Sequence, residues 1–262
     1  MGLQINFIGA RTGATGSLDD LKATPPTPKA WVQATLVEAA ISSLQKNQHL
    51  HSRLDHYSLI RNHLYDAATS RYRVVWSSNM ITSAGVSNAH GKAGRTELVL
   101  HLRDGEEERK GQQRYMRMIL EGLYAKGGRA QKSVEDFLYL TLVHEASEIH
   151  QRKKTETLTP NIKAEIRAEV ETAKAYFSMP SERRKVLAQL YKLLDETHDS
   201  RKSVFSQELS IFENIGAENL GSIEGLLQMM EFVLQTPDYK KEAGIYHDDR
   251  TKLQLAKSLF VD

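Results

Sequence analysis

Val134-Glu135-Asp136-Phe137-Leu138-Tyr139-Leu140-Thr141-Leu142-Val143-His144-Glu145-Ala146-Ser147-Glu148-Ile149-His150 is the stretch on which the reading of this chain turns. It predicts one amphipathic helix. Phe137, Thr141, His144 and Glu148 recur at three- and four-residue spacing on one face, beside a second stripe of Leu138, Leu142 and Ile149. His144 and Glu148 can therefore point at one metal ion, while Glu145, one step round the helix, reaches a water bound to it. A His and a Glu on an otherwise apolar helix are costly to bury alone, by several kcal/mol, so a ligand or a polar network has to compensate.

Working outward, Ser133 with Asp136 three residues on is expected to cap this helix, and Gly127 in Lys126-Gly127-Gly128-Arg129 to end a preceding helix near 112–125. Upstream the period changes. Arg71-Tyr72-Arg73-Val74-Val75-Trp76 and Thr96-Glu97-Leu98-Val99-Leu100-His101-Leu102 are β-rich runs expected to pair, with the Gly- and Asn-containing stretch 85–94 as their connector. Before them, Trp31, Ala34, Val37, Ala40, Ile41 and Leu44 predict a helix that Thr27 caps and Pro28 opens, and a second helix is expected over roughly 52–68. Residues 1–29, with Thr24-Pro25-Pro26-Thr27-Pro28, suit an extended arm. Downstream, Thr159-Pro160 opens a helix to about Phe177, and Pro180 opens another with Val186, Leu187, Leu190, Leu193 and Leu194 on one side. Residues 203–235 and 249–260 are again mostly helical. The organisation expected is an arm over 1–29, N-terminal helices over 30–70, a mixed core over 71–200 and a helical extension over 201–262.

Composition narrows the chemistry. The 262 residues include no cysteine, which excludes disulfides, thiol nucleophiles and cysteine-ligated zinc, so any metal must sit on His and carboxylate. Lys and Arg number 35 against 33 Asp and Glu, for a net charge of +2, and this balance does not require a nucleic-acid partner. Arg152-Lys153-Lys154 and Arg183-Arg184-Lys185 read as solvated helix ends. No apolar run approaches the roughly 18 residues of a membrane span, so a soluble protein without a membrane partner is expected. The start has only a short apolar patch with no basic residue before it, which does not suit a secretory signal. The expected location is the cytoplasm or another reducing compartment, with non-classical export left open.

The order of these elements carries a resemblance. Trp76-Ser77, Ser83-Ala84-Gly85, the strand 96–102 and Thr141-Leu142-Val143-His144-Glu145 resemble the SprT-like zincins, which place such segments before Leu-x-His-Glu. Glu169-Val170-Glu171-Thr172-Ala173-Lys174-Ala175-Tyr176-Phe177-Ser178-Met179-Pro180 resembles the ImmA/IrrE-type metallopeptidases, in which a Glu ahead of a Leu-Met-Pro-like sequence supplies the third metal ligand. The resemblance spans roughly residues 71–180. It implies an α+β zincin-like domain with a small antiparallel or mixed sheet, an active-site helix and additional helices at both ends. It also implies His144, Glu148 and Glu169 as metal ligands and Glu145 as general base, acting on a metal-activated water to cleave a protein substrate. Relatives of both kinds act on proteins associated with DNA, so a substrate near nucleic acid is implied by the resemblance alone.

The departure from the usual His-Glu-x-x-His is Glu148. A carboxylate in place of an imidazole adds negative charge, which lowers Lewis acidity and moves the expected cofactor from zinc toward manganese or iron, or toward loss of the metal. His150 ranks below Glu148, because six residues turn a helix through about 600° and leave it on the order of 120° from His144 unless the helix ends between them. Glu165 is a further lower-ranked ligand. His90 and His101 read as loop and strand-surface residues, and His49, His51, His56 and His63 as surface or packing residues. Three function classes stay open: a metal-dependent peptidase, an inactive zincin-like binding or regulatory protein, and a carboxylate-rich di-metal helical protein using Glu145, Glu148, Glu165 and Glu169.

Overall fold

A helical hairpin leads into a small sheet, and the sheet into a run of long helices. The computed structural model describes residues 35–47, 54–78, 84–90, 96–105, 116–155, 161–196, 205–236 and 239–260. The N-terminal arm, the caps expected at Thr27 and Pro28, most of the loop 103–112, the start expected at Thr159-Pro160, and His49 and His51 lie outside them. The chain divides into two compact units, with the boundary between Ala146 and Ser147.

In the unit that ends at Ala146, α1 (Thr35–Asn47) packs on α2 (His56–Leu64). Leu36, Val37, Ala40, Ile41 and Leu44 are buried, as their spacing requires. Asp55 caps α2 by accepting from the backbone N–H and the hydroxyl of Ser58, at 2.9 and 2.6 Å, and these bonds hold its carboxyl below the usual range. The second helix is shorter than its periodicity suggests. Tyr65–Asp66 (β1) and Arg71–Tyr72 (β2) instead form an antiparallel hairpin, and Tyr65 and Tyr72 meet edge-on with centroids 5.1 Å apart. Cross-strand pairing of two aromatics outweighs continued helix there.

Val74–Ser78 (β3), Ala84–His90 (β4) and Thr96–Gly105 (β5) make a mixed sheet of order β3-β5-β4. β3 and β5 pair as expected, and they do so in parallel, with Val74 opposite Leu100, Val75 opposite His101 and Trp76 opposite Leu102. The connector expected over 85–94 is in part a strand: β4 runs antiparallel to β5, with Ala84 opposite Leu102 and Gly85 opposite His101. Its Gly, Ser and Asn content conceals a segment whose order comes from the ladder rather than from propensity. His90 accordingly falls on a strand and not in a loop. Leu98, Leu100 and Leu102 alternate into the core from the central strand, and α2 and α3 (Met116–Ala125) both pack against β5. His101, expected on a strand surface, is 3% exposed, because a central strand covered by helices offers no open face.

Gly127 and Gly128 both take left-handed backbone, with φ of 72° and 57°. Gly127 closes α3 through its N–H to the Tyr124 carbonyl at 3.1 Å, and α4 (Gly128–Thr155) begins at once. The helix therefore starts before Ser133, whose hydroxyl donates instead to the Ala130 carbonyl at 2.8 Å. It also continues past His150, so no helix end lies between His144 and His150. Nor is it amphipathic over its central part: every residue from Asp136 to Ile149 is buried. This is the pattern of a helix surrounded by protein on all sides.

In the unit that begins at Ser147, α5 (Ile162–Ser178), α6 (Ser181–Glu196), α7 (Phe205–Ile215), α8 (Ile223–Gln235) and α9 (Asp249–Ser258) follow the rest of α4. Asn161 caps α5 by accepting from the Lys163 and Ala164 N–H groups at 3.0 and 3.4 Å. The apolar α8 packs on α5, α7 and α9. Its Gly225 is required by close approach, since a Cβ there would strike the Asn219 carbonyl. The molecule is thus mostly helical with a small sheet, α+β in the coarse sense. Among the described residues no helix is long and apolar enough to cross a membrane.

Candidate metal centre

Two consecutive helices carry the site. α4 presents His144, and α5 presents Glu165 and Glu169, four residues apart and hence on one face. The Asn161 cap sets where α5 begins and puts Glu165 in its first turn, where the helix dipole favours a negative charge. One ligand atom from each of His144, Glu165 and Glu169 lies within 4.8 Å of the other two, and all three residues are 0% exposed. Among the described residues this is the group whose donor atoms converge in this way.

The donor set suits a divalent ion. One imidazole nitrogen and two carboxylate oxygens are ligands that zinc, manganese and iron accept. Ligands about 2.1 Å from a shared tetrahedral ion stand about 3.4 Å apart, so atoms within 4.8 Å need shifts on the order of 1 Å, within reach of side-chain rotation. Two buried carboxylates this close also repel unless positive charge, as a metal ion or as protons, lies between them.

Glu145 is fully buried beside His144, and Glu148 is buried one helical turn further on. Neither is among the three residues whose donors converge, and neither is His150. The structure thus brings His144 together with Glu169 and with Glu165, which the sequence ranks lower, while Glu148 stays outside that group. Glu145 and Glu148 on α4 and Glu165 and Glu169 on α5 are all buried carboxylates, and one dication offsets the charge of two.

Tyr191 on α6 is almost wholly buried; burial pushes its phenol well above its ordinary value, and the Glu169 carboxylate adds the largest charge effect. The sequence conceals Tyr191, because it sits within a leucine stripe where a tyrosine passes as core: Leu187, Leu190, Tyr191 and Leu194 are the buried residues of α6. On β5, burial pushes His101 down to about 4, so it is neutral at pH 7.

No family model, curated protein or solved structure matches this chain.

Proposed function

We propose that this protein is a metal-dependent hydrolase of the peptidase type, with His144, Glu165 and Glu169 as metal ligands and Glu145 as general base. The observation that carries the reading is the convergence of one imidazole and two carboxylates, all fully buried, on consecutive helices. Three protein ligands leave a coordination position open, the arrangement of catalytic rather than structural sites. A divalent ion held there would supply Lewis acidity and lower the pKa of a coordinated water toward 7. Glu145, next to ligand His144 and away from solvent, is suited to accept a proton from the attacking water and return it to the leaving amine. The peptidase assignment, rather than another hydrolysis, rests on the resemblance of the His144-Glu145 helix and its preceding strands to zincin-like enzymes. A protein substrate follows from the same resemblance.

The test is metal analysis of protein purified without chelator, together with cleavage of an unfolded protein substrate. One zinc, manganese or iron ion per chain, lost in His144→Ala and in Glu169→Gln, is expected, with cleavage that follows metal content. A second reading, a di-metal centre, is favoured by the four buried carboxylates and requires two ions per chain. Metal-free protein with an intact fold would sink both and leave a zincin-like binding protein.

A further inference from the structure

α5 turns its ligand carboxylates away from water. Between residues 163 and 174 its exposed or half-exposed positions are Lys163, Arg167, Glu171 and Lys174, a stripe at three- and four-residue spacing. Glu165 and Glu169 each stand two residues beyond a member of that stripe, about 200° round the helix, so both lie on its inner side. α4 has no outer face at all from Asp136 to Ile149. His144, Glu145, Glu165 and Glu169 are accordingly all 0% exposed. An ion cannot reach ligand atoms that water does not reach, so loading and release require this arrangement to open. A peptide bond cannot approach Glu145 until it does.

One contact ties the two ligand helices together from the outside. Arg167 of α5 donates through Nη1 to Gln151 Oε1 of α4 at 3.1 Å. Gln151 follows His144 by two turns on the same side of α4, and Arg167 lies between Glu165 and Glu169 in the chain. His150 and Gln151 are the first half-exposed residues past the enclosed stretch, so the bond sits where α4 emerges toward solvent. Its donor is a guanidinium, and hydrogen bonds from charged groups are stronger than neutral ones. The far end of α5 is tied elsewhere, by Tyr176 donating to Glu213 of α7 at 2.6 Å. Parting of α4 from the first half of α5 leaves that end in place.

We propose that the metal site is occluded and that Arg167 and Gln151 form its clasp: an ion held by His144, Glu165 and Glu169 enters and leaves only when α4 and the first half of α5 part, and the Arg167–Gln151 hydrogen bond resists that parting. This rests on the metal reading above. The full chain, loaded with zinc, is mixed with a chromogenic chelator at several concentrations in excess, and zinc release is timed for wild type, Gln151→Met, Arg167→Met, the double variant and Lys174→Met. Lys174→Met removes the Lys174–Glu171 pair, 2.7 Å long, which lies on the outer stripe of α5 and joins no second helix. Urea unfolding rates of the same proteins are extrapolated to water.

Wild type should release zinc at a rate that is independent of chelator concentration and faster than its unfolding. Gln151→Met and Arg167→Met should each release it about 3- to 10-fold faster, the effect of losing one such hydrogen bond. The double variant should be no faster than the faster single one, and Lys174→Met should behave as wild type. A wild-type rate that rises with chelator concentration shows an ion within reach in the closed chain and overturns occlusion. Release that matches unfolding in every protein, unchanged rates in both single Met variants, or effects that add in the double variant overturn the clasp. Gln151→Met, at a half-exposed position, decides the matter by itself if Arg167→Met does not fold. Absence of zinc binding in wild type removes the metal reading and this inference together, whereas each of the other failures leaves zinc bound and the metal reading standing.

Discussion

Acid should weaken this fold through one imidazole. His101 lies on the central strand, 3% exposed, and its burial lowers it from about 6.5 to about 4. Between those values the unfolded chain binds a proton that the folded chain refuses, so stability rises with pH across the window. The contribution is fully present above about 6.5 and is lost as pH falls through about 4. For an unfolded value of 6.5 and a folded value of about 4, linkage gives a loss on the order of 2 kcal/mol at pH 5 and of 3 kcal/mol once the window is crossed. The perturbation is His101→Gln, which keeps a polar side chain of similar length and removes the titration. Urea unfolding at pH 7, 6 and 5 is followed by tryptophan fluorescence in a Trp31→Phe background, so that the signal comes from Trp76, which pairs with Leu102 across the β3–β5 ladder and reports on the same sheet. The variant is expected to be less stable than wild type at pH 7 and to close the gap by about 2 kcal/mol at pH 5. Carboxylates titrate alike in both proteins and cancel in the difference. Parallel pH profiles would refute the reasoning, as would an NMR titration showing His101 protonating near 6.5.

Three further outcomes are expected. Glu145→Gln should retain metal but lose hydrolysis, since the base is removed while the ligands stay; equal loss of metal would make Glu145 a ligand instead. Glu165→Gln and Glu169→Gln should each lower metal affinity by about tenfold or more, and Glu148→Gln by less, because its carboxylate is not one of the converging donors; equilibrium dialysis against zinc and manganese checks this, and a reversed order would restore Glu148 to the ligand set. Gly225→Ala should destabilise the protein by about 1–3 kcal/mol, because the added methyl strikes the Asn219 carbonyl, and a wild-type melting temperature would show that this turn yields freely.

Local chemistry made much of the helical part legible. Pro180 opening α6, Gly127 closing α3 and the leucine spacing of α6 act within a few residues, so they can be read without knowing what the chain packs against. His144 and Glu145 stand out for a related reason: ionisable groups in an apolar stretch require compensation wherever the stretch goes. The sheet was only half legible. β3 and β5 announce themselves by β-branched and leucine content, whereas β4, rich in Gly, Ser and Asn, is ordered by hydrogen bonds to β5 that no local window contains.

By itself the sequence determined that a metal site, if built, would use His and carboxylate, since there is no cysteine, and that α4 and α5 bear its candidates. Periodicity ranks residues on one helix, and on that basis Glu148, one turn from His144, precedes Glu165. Tertiary structure alone decided which carboxylates meet the imidazole. Convergence of donor atoms depends on how consecutive helices come together, and that brings the i and i+4 pair Glu165 and Glu169 to His144. Burial is decided at the same level: α4 is enclosed on every side between Asp136 and Ile149, and His101 is sealed on a central strand. The environment of a side chain, and with it the charge that the side chain can carry or compensate, is made by residues distant in the chain.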